Sequence, residues 1–427
     1  MCNNLSFVDC ELAILRTAVD TIEKREGQKL VHSPAMKQVV QTVEQFIQKK
    51  KCIIYGGTAI NNILPIKDQF YHYDYELPDY DFFSTDPMTL AKELTDIFAK
   101  QGYQVEAKSG IHHGTYKVFV EQIGVADITL LHPELYKMLL KSTIVKKGLL
   151  YAPANFLRQS MYLELSRPLG DVSRWEKVLK RLNALNRNYP IVHKQCKLQR
   201  RLSSRRDELK LFKLIKQFFI RQNVVFIGGY ANSLYTRYTK APRLDNLPDF
   251  DVLASNAKET AETLVHTLTD AGYAASMEEH EAVGELISIH YSISVDDDYV
   301  AFLYTPVACH SYNEIKEGTY TLKVATIDTL LSYYLAFMYA DREYYDENRL
   351  VCLSSVLFRV QQENRLSQKG LLKRFGIQCY GTQPTLKSIR EENSRLYHTL
   401  NHKSNAFKER FFKYVPKTRK IKLKRTS

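Results

Sequence analysis

Asp79 and Asp81 stand two residues apart in the stretch LPDYDF, Leu77 to Phe82, and Asp127 lies inside VADITLL, 125 to 131. Side chains at i and i+2 of a strand share a face, so the first two residues hold their carboxylates side by side. Without a counter-charge they repel, and a divalent cation resolves that repulsion; Mg2+ prefers one or two carboxylates plus the phosphate oxygens of a substrate. In the second stretch Val125, Asp127, Thr129 and Leu131 share one face and Ala126, Ile128 and Leu130 the other. An acid in the middle of so apolar a strand needs a partner or a metal. Such carboxylates suit a divalent cation shared with a phosphate-bearing substrate.

Upstream, CIIYGG (Cys52 to Gly57) ends in a double glycine that precedes a helix opening at Thr58. Gly56 and Gly57 allow backbone N–H groups to close around phosphate oxygens, with the helix N-terminus adding its positive end and the Thr58 hydroxyl a further donor. A lone double glycine is usually a turn, and a lone Asp-x-Asp is usually a surface pair or a cap. The specificity lies in the order: strand, glycines, helix, Asp-x-Asp strand, then a mid-strand aspartate.

The elements that must position these residues occur twice. VFIGG (Val225 to Gly229) repeats the glycine turn, and LPDFDV (Leu247 to Val252) repeats the Asp-x-Asp stretch displaced by 170 residues. The helix ending at Gly102-Tyr103 recurs as one ending at Gly272-Tyr273. Each copy reads as an amphipathic helix (35 to 50, and 207 to 222), a strand, the glycine turn, a short helix, the Asp-x-Asp strand, another helix and a hairpin. In the first copy the hairpin strands are 117 to 121 and 125 to 131, with Gly124 expected in the turn. Two copies of one α/β (α+β) domain follow. The second keeps Gly228, Gly229, Asp249 and Asp251, but alignment through Pro306, answering to Pro133, sets Val300 opposite Asp127. A two-residue slip would bring Asp298 there instead. Tyr230 replaces Thr58, and the second copy is expected to be catalytically silent.

A chain of 427 residues, 44% hydrophobic and 25% charged, is long enough for two cores and ordinary for a globular enzyme. Its formal charge of +13 favours a polyanionic partner. The charge is concentrated: residues 177 to 206 hold ten Lys or Arg and no acid, and KTRKIKLKR fills 417 to 425. Lys194, Lys197, Arg200 and Arg201 are the candidate nucleic-acid contacts. No stretch is apolar enough to cross a bilayer and the start lacks signal-peptide character, so a cytosolic protein without membrane association is expected. The seven cysteines are scattered and odd in number, which predicts free thiols and no structural zinc.

From about residue 50 to 131 the constellation resembles the DNA polymerase β-like nucleotidyltransferase superfamily. YAPANFLRQSMYLELSRPLGDVSRWEKVLKRLNALN (151 to 186) and NRLVCLSSVLFRVQQENR near the C-terminus are similar to the viral poly(A) polymerase catalytic subunit of large cytoplasmic DNA viruses, of mimivirus and asfarvirus type. The resemblance implies tandem nucleotidyltransferase-fold domains, the second degenerate, with helical flanking segments. It divides the chain into an N-terminal helical segment (1–50), a catalytic domain (51–188), a basic linker (189–206), a degenerate domain (207–350) and a helical C-terminal segment with a basic tail (351–427). It implies Asp79, Asp81 and Asp127 as ligands of two Mg2+ ions, with Mn2+ as an alternative. Gly56, Gly57 and Thr58 would hold the nucleotide phosphates. ATP would be the nucleotide, an mRNA 3′ end the acceptor and a homodimer the working form. The setting would be the cytoplasm of an infected host cell, with packaging in the virion an option. Tyr151, Tyr162, Glu164, Arg167 and Arg174 are candidates for base or phosphate contacts, against the plainer reading of helix packing. Trp175 reads as core, and His112 and His113 as loop residues. A CCA-adding type of RNA nucleotidyltransferase and a non-catalytic RNA-binding protein on the same fold remain the alternatives.

Overall fold

A computed structural model describes residues 6–193, 207–240 and 248–416, and the chain forms two compact units. One gathers the residues up to Leu131, Thr143–Ala152 and those from Arg390 on; the other gathers His132–Ser142 and Pro153–Ile389. The first is built on β1 (Ile53–Ile54), β2 (Tyr80–Ser84), β3 (Val105–Ser109), β4 (Thr115–Val120), β5 (Ile123–Leu130), β6 (Ile144–Lys146) and β7 (Leu149–Tyr151). The second is built on β8 (Val225–Ile227), β9 (Phe250–Leu253), β10 (Ala275–His280), β11 (His290–Val295), β12 (Asp298–Tyr304), β13 (His310–Glu317), β14 (Tyr320–Ala325) and β15 (Cys379–Tyr380). A last short strand, β16 (Lys413–Tyr414), returns to the first sheet.

The strand orders are β16-β3-β4-β5-β2-β1-β7-β6 and β10-β11-β12-β9-β8-β14-β13-β15. Stripped of the added edge strands β16 and β15, they are the same order. Both copies also keep the same mixed pairing: β1 is antiparallel to β2 and β2 parallel to β5, as β8 is to β9 and β9 to β12. The repeat read from the anchors is therefore a repeat of fold.

The first sheet buries its helix-facing side. The helix Pro34–Lys50 turns Met36, Val39, Val43, Phe46 and Ile47 inward, opens on Ser33 accepting the Met36 N–H and ends at Lys51 in the left-handed region (φ 54°). Along β4, Tyr116, Val118 and Val120 are buried while Thr115, Lys117 and Phe119 take the other face.

The hairpin turn falls on Glu121 and Gln122 (φ 49° and 68°), with Gly124 inside β5. A two-residue hairpin turn of this twist requires positive φ at both central positions, and here non-glycine residues take them. Gly124 instead flanks a bulge, where pairing passes from Val118↔Ala126 to Phe119↔Gly124 and leaves Val125 over. The second copy repeats both features: Asp296 and Asp297 form the turn (φ 47° and 69°), and Val300 is the bulged residue between Ile293↔Ala301 and Ser294↔Tyr299. Val300 thus answers to Val125 and not to Asp127.

The expectation of free thiols holds for Cys52, which is buried, and fails for the other described cysteines, while Cys2 and Cys196 lie outside the described residues. Cys309 and Cys379 form a disulfide across 70 residues of sequence, and Cys10 and Cys352 each take part in a disulfide too. β15 pairs with β13 at Ser311↔Cys379, which brings the two thiols together, a proximity that spacing along the chain does not encode. Among the described residues no helix is long and apolar enough to cross a membrane.

Candidate functional site

Three adjacent strands of the first sheet align one residue each. Lys117 on β4 pairs with Asp127 on β5, and Asp127 pairs with Asp81 on β2. Asp79 lies just before β2 and is exposed. The carboxylates that sequence alone puts 46 or more residues apart are thus neighbours because β2 and β5 run parallel in this register.

The glycine turn closes against them. The Tyr55 N–H donates to the Asp81 carbonyl at 2.9 Å, and Gly56 follows with φ +71°. A Cβ on Gly56 would stand 2.6 Å from Asp81 Oδ2, so this position needs glycine for both conformation and space. The helix Gly56–Ile63 starts here with no side-chain cap from Tyr55, and its first turn carries N–H groups that a helix cannot satisfy internally. Thr58 is buried, and its hydroxyl donates to the Asp79 carbonyl at 2.5 Å, fixing the backbone that presents Asp79.

Several supporting residues carry no sequence signal. Buried Asn61 accepts the N–H groups of Phe70 and Tyr71 at 2.8 and 2.9 Å, which ties down the loop leading to Asp79. Lys146 donates to the carbonyls of Asn62 and Ile63 at 2.9 and 2.8 Å, a cation on the C-terminal end of the glycine helix. Tyr55 stacks on Phe83 with ring centroids 3.9 Å apart, and its hydroxyl meets Thr129 Oγ1 at 2.8 Å. Burial pushes the Tyr55 phenol well above its usual range, and the negative charges of Asp81, Asp127 and Asp79 push it further the same way.

Lys117 Nζ donates to Asp127 Oδ2; the lysine side chain is 40% exposed and the aspartate 19%. Among the described residues no group of three or more His, Cys, Asp or Glu is gathered closely enough to hold a metal ion. The donor set nonetheless fits one: hard carboxylate oxygens only, beside a glycine that leaves room for the Asp81 carboxylate.

The second copy has the same backbone with different chemistry. Gly228 has φ +68°, and a Cβ there would collide with the Asp251 carboxylate. Asp249 is buried and ion-paired to Arg349 at 3.2 Å. Opposite Asp251 the parallel register sets Phe302, which is fully buried, so the third carboxylate is absent at that position. Tyr230, in the place of Thr58, packs among Phe212, Phe226 and Phe250. Asp298 opens β12 at the turn end of the hairpin, paired with Val295.

Of the other candidates, Tyr151 and Tyr162 are buried, accepting from Asn62 at 3.1 Å and from Asn186 at 3.4 Å. Glu164 pairs with Arg174 at 3.3 Å, and burial lowers the pKa of the Arg167 guanidinium. Trp175 is half-buried and donates to the Glu164 carbonyl at 3.1 Å; His112 and His113 are exposed in the loop before β4. Lys194, Lys197, Arg200 and Arg201 lie outside the described residues, as does 417 to 425. The preceding part of the basic stretch is the helix Trp175–Asn188, where Lys177, Lys180 and Arg187 are exposed.

Residues 41–171 match the model of a family described as the poly(A) polymerase catalytic subunit. The chain is 31% identical over 176 residues to an African swine fever virus protein (strain Badajoz 1971 Vero-adapted), a match covering 40% of this chain and 36% of that one. A protein of Acanthamoeba polyphaga mimivirus is 30% identical over 158 residues, covering 36% of this chain and 26% of the relative. Both are described, provisionally, as poly(A) polymerase catalytic subunits. The matched segment thus spans about a third or less of these relatives' length. The crystal structure of the Megavirus polyadenylate synthase superposes with a TM-score of 0.81 at 22% identity, over 97% of this chain and 87% of that one. The viral resemblance read from the sequence is borne out, and the mixed α/β fold with it.

Proposed function

We propose that this chain is a template-independent poly(A) polymerase that transfers AMP from ATP to the 3′ end of an mRNA. The observation that carries the reading is the cross-strand row Asp81–Asp127 beside the glycine turn, with Asp79 two residues from Asp81, inside the segment 41–171 that matches the family. Asp79, Asp81 and Asp127 would hold two divalent cations, Mg2+ or Mn2+, which would supply charge neutralisation at the triphosphate and favour the ionised 3′-hydroxyl. The N–H groups of Gly56, Gly57 and Thr58 would face the nucleotide phosphates. Thr58 holds Asp79 through its carbonyl, and Tyr55, kept neutral by burial and by the carboxylates, can donate a hydrogen bond without adding charge. The basic stretch 177 to 206, including Lys194, Lys197, Arg200 and Arg201, would grip RNA phosphates irrespective of sequence. The same reading includes a homodimer acting in the cytoplasm of an infected cell.

The test is incubation of purified protein with a short RNA primer, Mg2+ and each NTP separately, followed by product length. Long products with ATP alone support the proposal. Addition of one to three nucleotides with both CTP and ATP would favour a CCA-adding enzyme, and RNA binding without extension a non-catalytic protein.

A further inference from the structure

We infer that Lys117 is an internal counter-ion that competes with the divalent cation for Asp127, and so sets the metal concentration at which the site assembles. The inference rests on the proposed metal-binding role of Asp79, Asp81 and Asp127.

The register leaves the row Lys117, Asp127, Asp81 across β4, β5 and β2, with the lysine ammonium on Asp127 Oδ2. Two carboxylates brought side by side on parallel strands repel, and a fixed cation at one end relieves part of that cost. A lysine suits the task better than an arginine: a compact charge on a flexible stem leaves one carboxylate oxygen easily, whereas a guanidinium fork holds two. At 40% exposure Lys117 can turn to solvent when a divalent ion takes Asp127.

The second copy supplies an internal control. The corresponding row is Ser292, Phe302, Asp251, so the lysine and the carboxylate it serves are absent together. A lysine needed only for the sheet would have no reason to go when Asp127 goes. Of the two acids that remain there, Asp249 has its own cation, Arg349, whose side chain is 10% exposed, a pairing built to stay.

Lys117 is thus a positioning residue: it keeps Asp127 aimed along the row in the metal-free protein and leaves as the ion enters. The test is direct binding of Mn2+ to the full chain without nucleotide, by electron paramagnetic resonance of the free ion, together with thermal melting in chelator and in Mn2+. Lys117→Met should bind Mn2+ about two- to fivefold more tightly, in the range a partly exposed ion pair can impose. It should melt lower than wild type in chelator and recover in Mn2+. Lys117→Arg, keeping the charge, should bind no more tightly than wild type. Unchanged or weaker Mn2+ binding by Lys117→Met overturns the inference. Asp127→Asn separates the two readings: if it binds Mn2+ as well as wild type, the metal site itself is misplaced.

Discussion

The two glycine turns of this chain share a strand order, a positive-φ glycine, a two-residue hairpin turn and a bulge, yet they handle negative charge in opposite ways. In the first, Asp79 is exposed and Asp127 leans on a half-exposed lysine. In the second, Asp249 is buried against Arg349 and the position of Asp127 is filled by Phe302. The same backbone thus carries different chemistry, and in the second copy Asp249 is bound up in a buried ion pair. Removing one partner of a buried pair strands the other charge, at a cost of about 3–5 kcal/mol.

The largest contrast to test is between the two Asp pairs. Asp79→Asn, Asp81→Asn or Asp127→Asn should each lower primer extension by roughly a hundredfold or more while the circular dichroism spectrum and melting temperature stay near wild type. Asp249→Asn with Asp251→Asn should do the reverse, lowering unfolding free energy by about 3–5 kcal/mol and leaving the initial rate nearly unchanged at a temperature where the variant is folded. Extension lost in a folded second-copy variant would mean that the copies share a site.

The glycines sharpen the same contrast. Gly56→Ala drives a methyl into Asp81 and should abolish most extension; Gly228→Ala drives one into Asp251 and should show mainly as lost stability, more than about 1 kcal/mol. Equal effects on activity would erase the distinction between the turns.

Acid should separate the units next. Burial holds the imidazoles of His290 and His310 down at about 4 and about 3, whereas the unfolded chain takes up protons near the ordinary value of 6.5. Because the unfolded state binds more protons in between, stability from these two groups is present above pH 6.5 and falls as pH drops toward 4. Both residues belong to the second unit. Hydrogen exchange at pH 5 should loosen β11 and β13 before β4 and β5; the opposite order would show that carboxylate protonation in the first unit dominates. The smallest effect is that of Thr58→Val, which deletes the donor to the Asp79 carbonyl. A loss of about 1 kcal/mol is expected, with extension slowed a fewfold and ATP affinity little changed.

Sequence patterns exposed the repeat because glycine turns and Asp-x-Asp pairs are short local signals, and both copies fold as those anchors imply. They did not expose register. Pro306 was a poor ruler for the second hairpin, since turn and bulge fix the count from Asp298 to Phe302 just as they fix it from Ile123 to Asp127. Lys117, Asn61 and Lys146 were equally hidden: each acts through a partner chosen by sheet pairing or by a loop's return path, and neither leaves a spacing to read. The pairing of Cys309 with Cys379 belongs to the same class.

The short strand β16 bears on how the first sheet is completed during synthesis. It pairs Lys413 and Tyr414 with Lys108 and Ala107, and Tyr116 donates to the Glu409 carbonyl 293 residues away. Until that stretch leaves the ribosome, β3 is an open edge able to pair with another nascent chain. The whole second unit can emerge and fold during that interval, so the sheet that carries Asp79, Asp81 and Asp127 is sealed last, and premature termination before Lys413 yields a chain with that edge still open to aggregation.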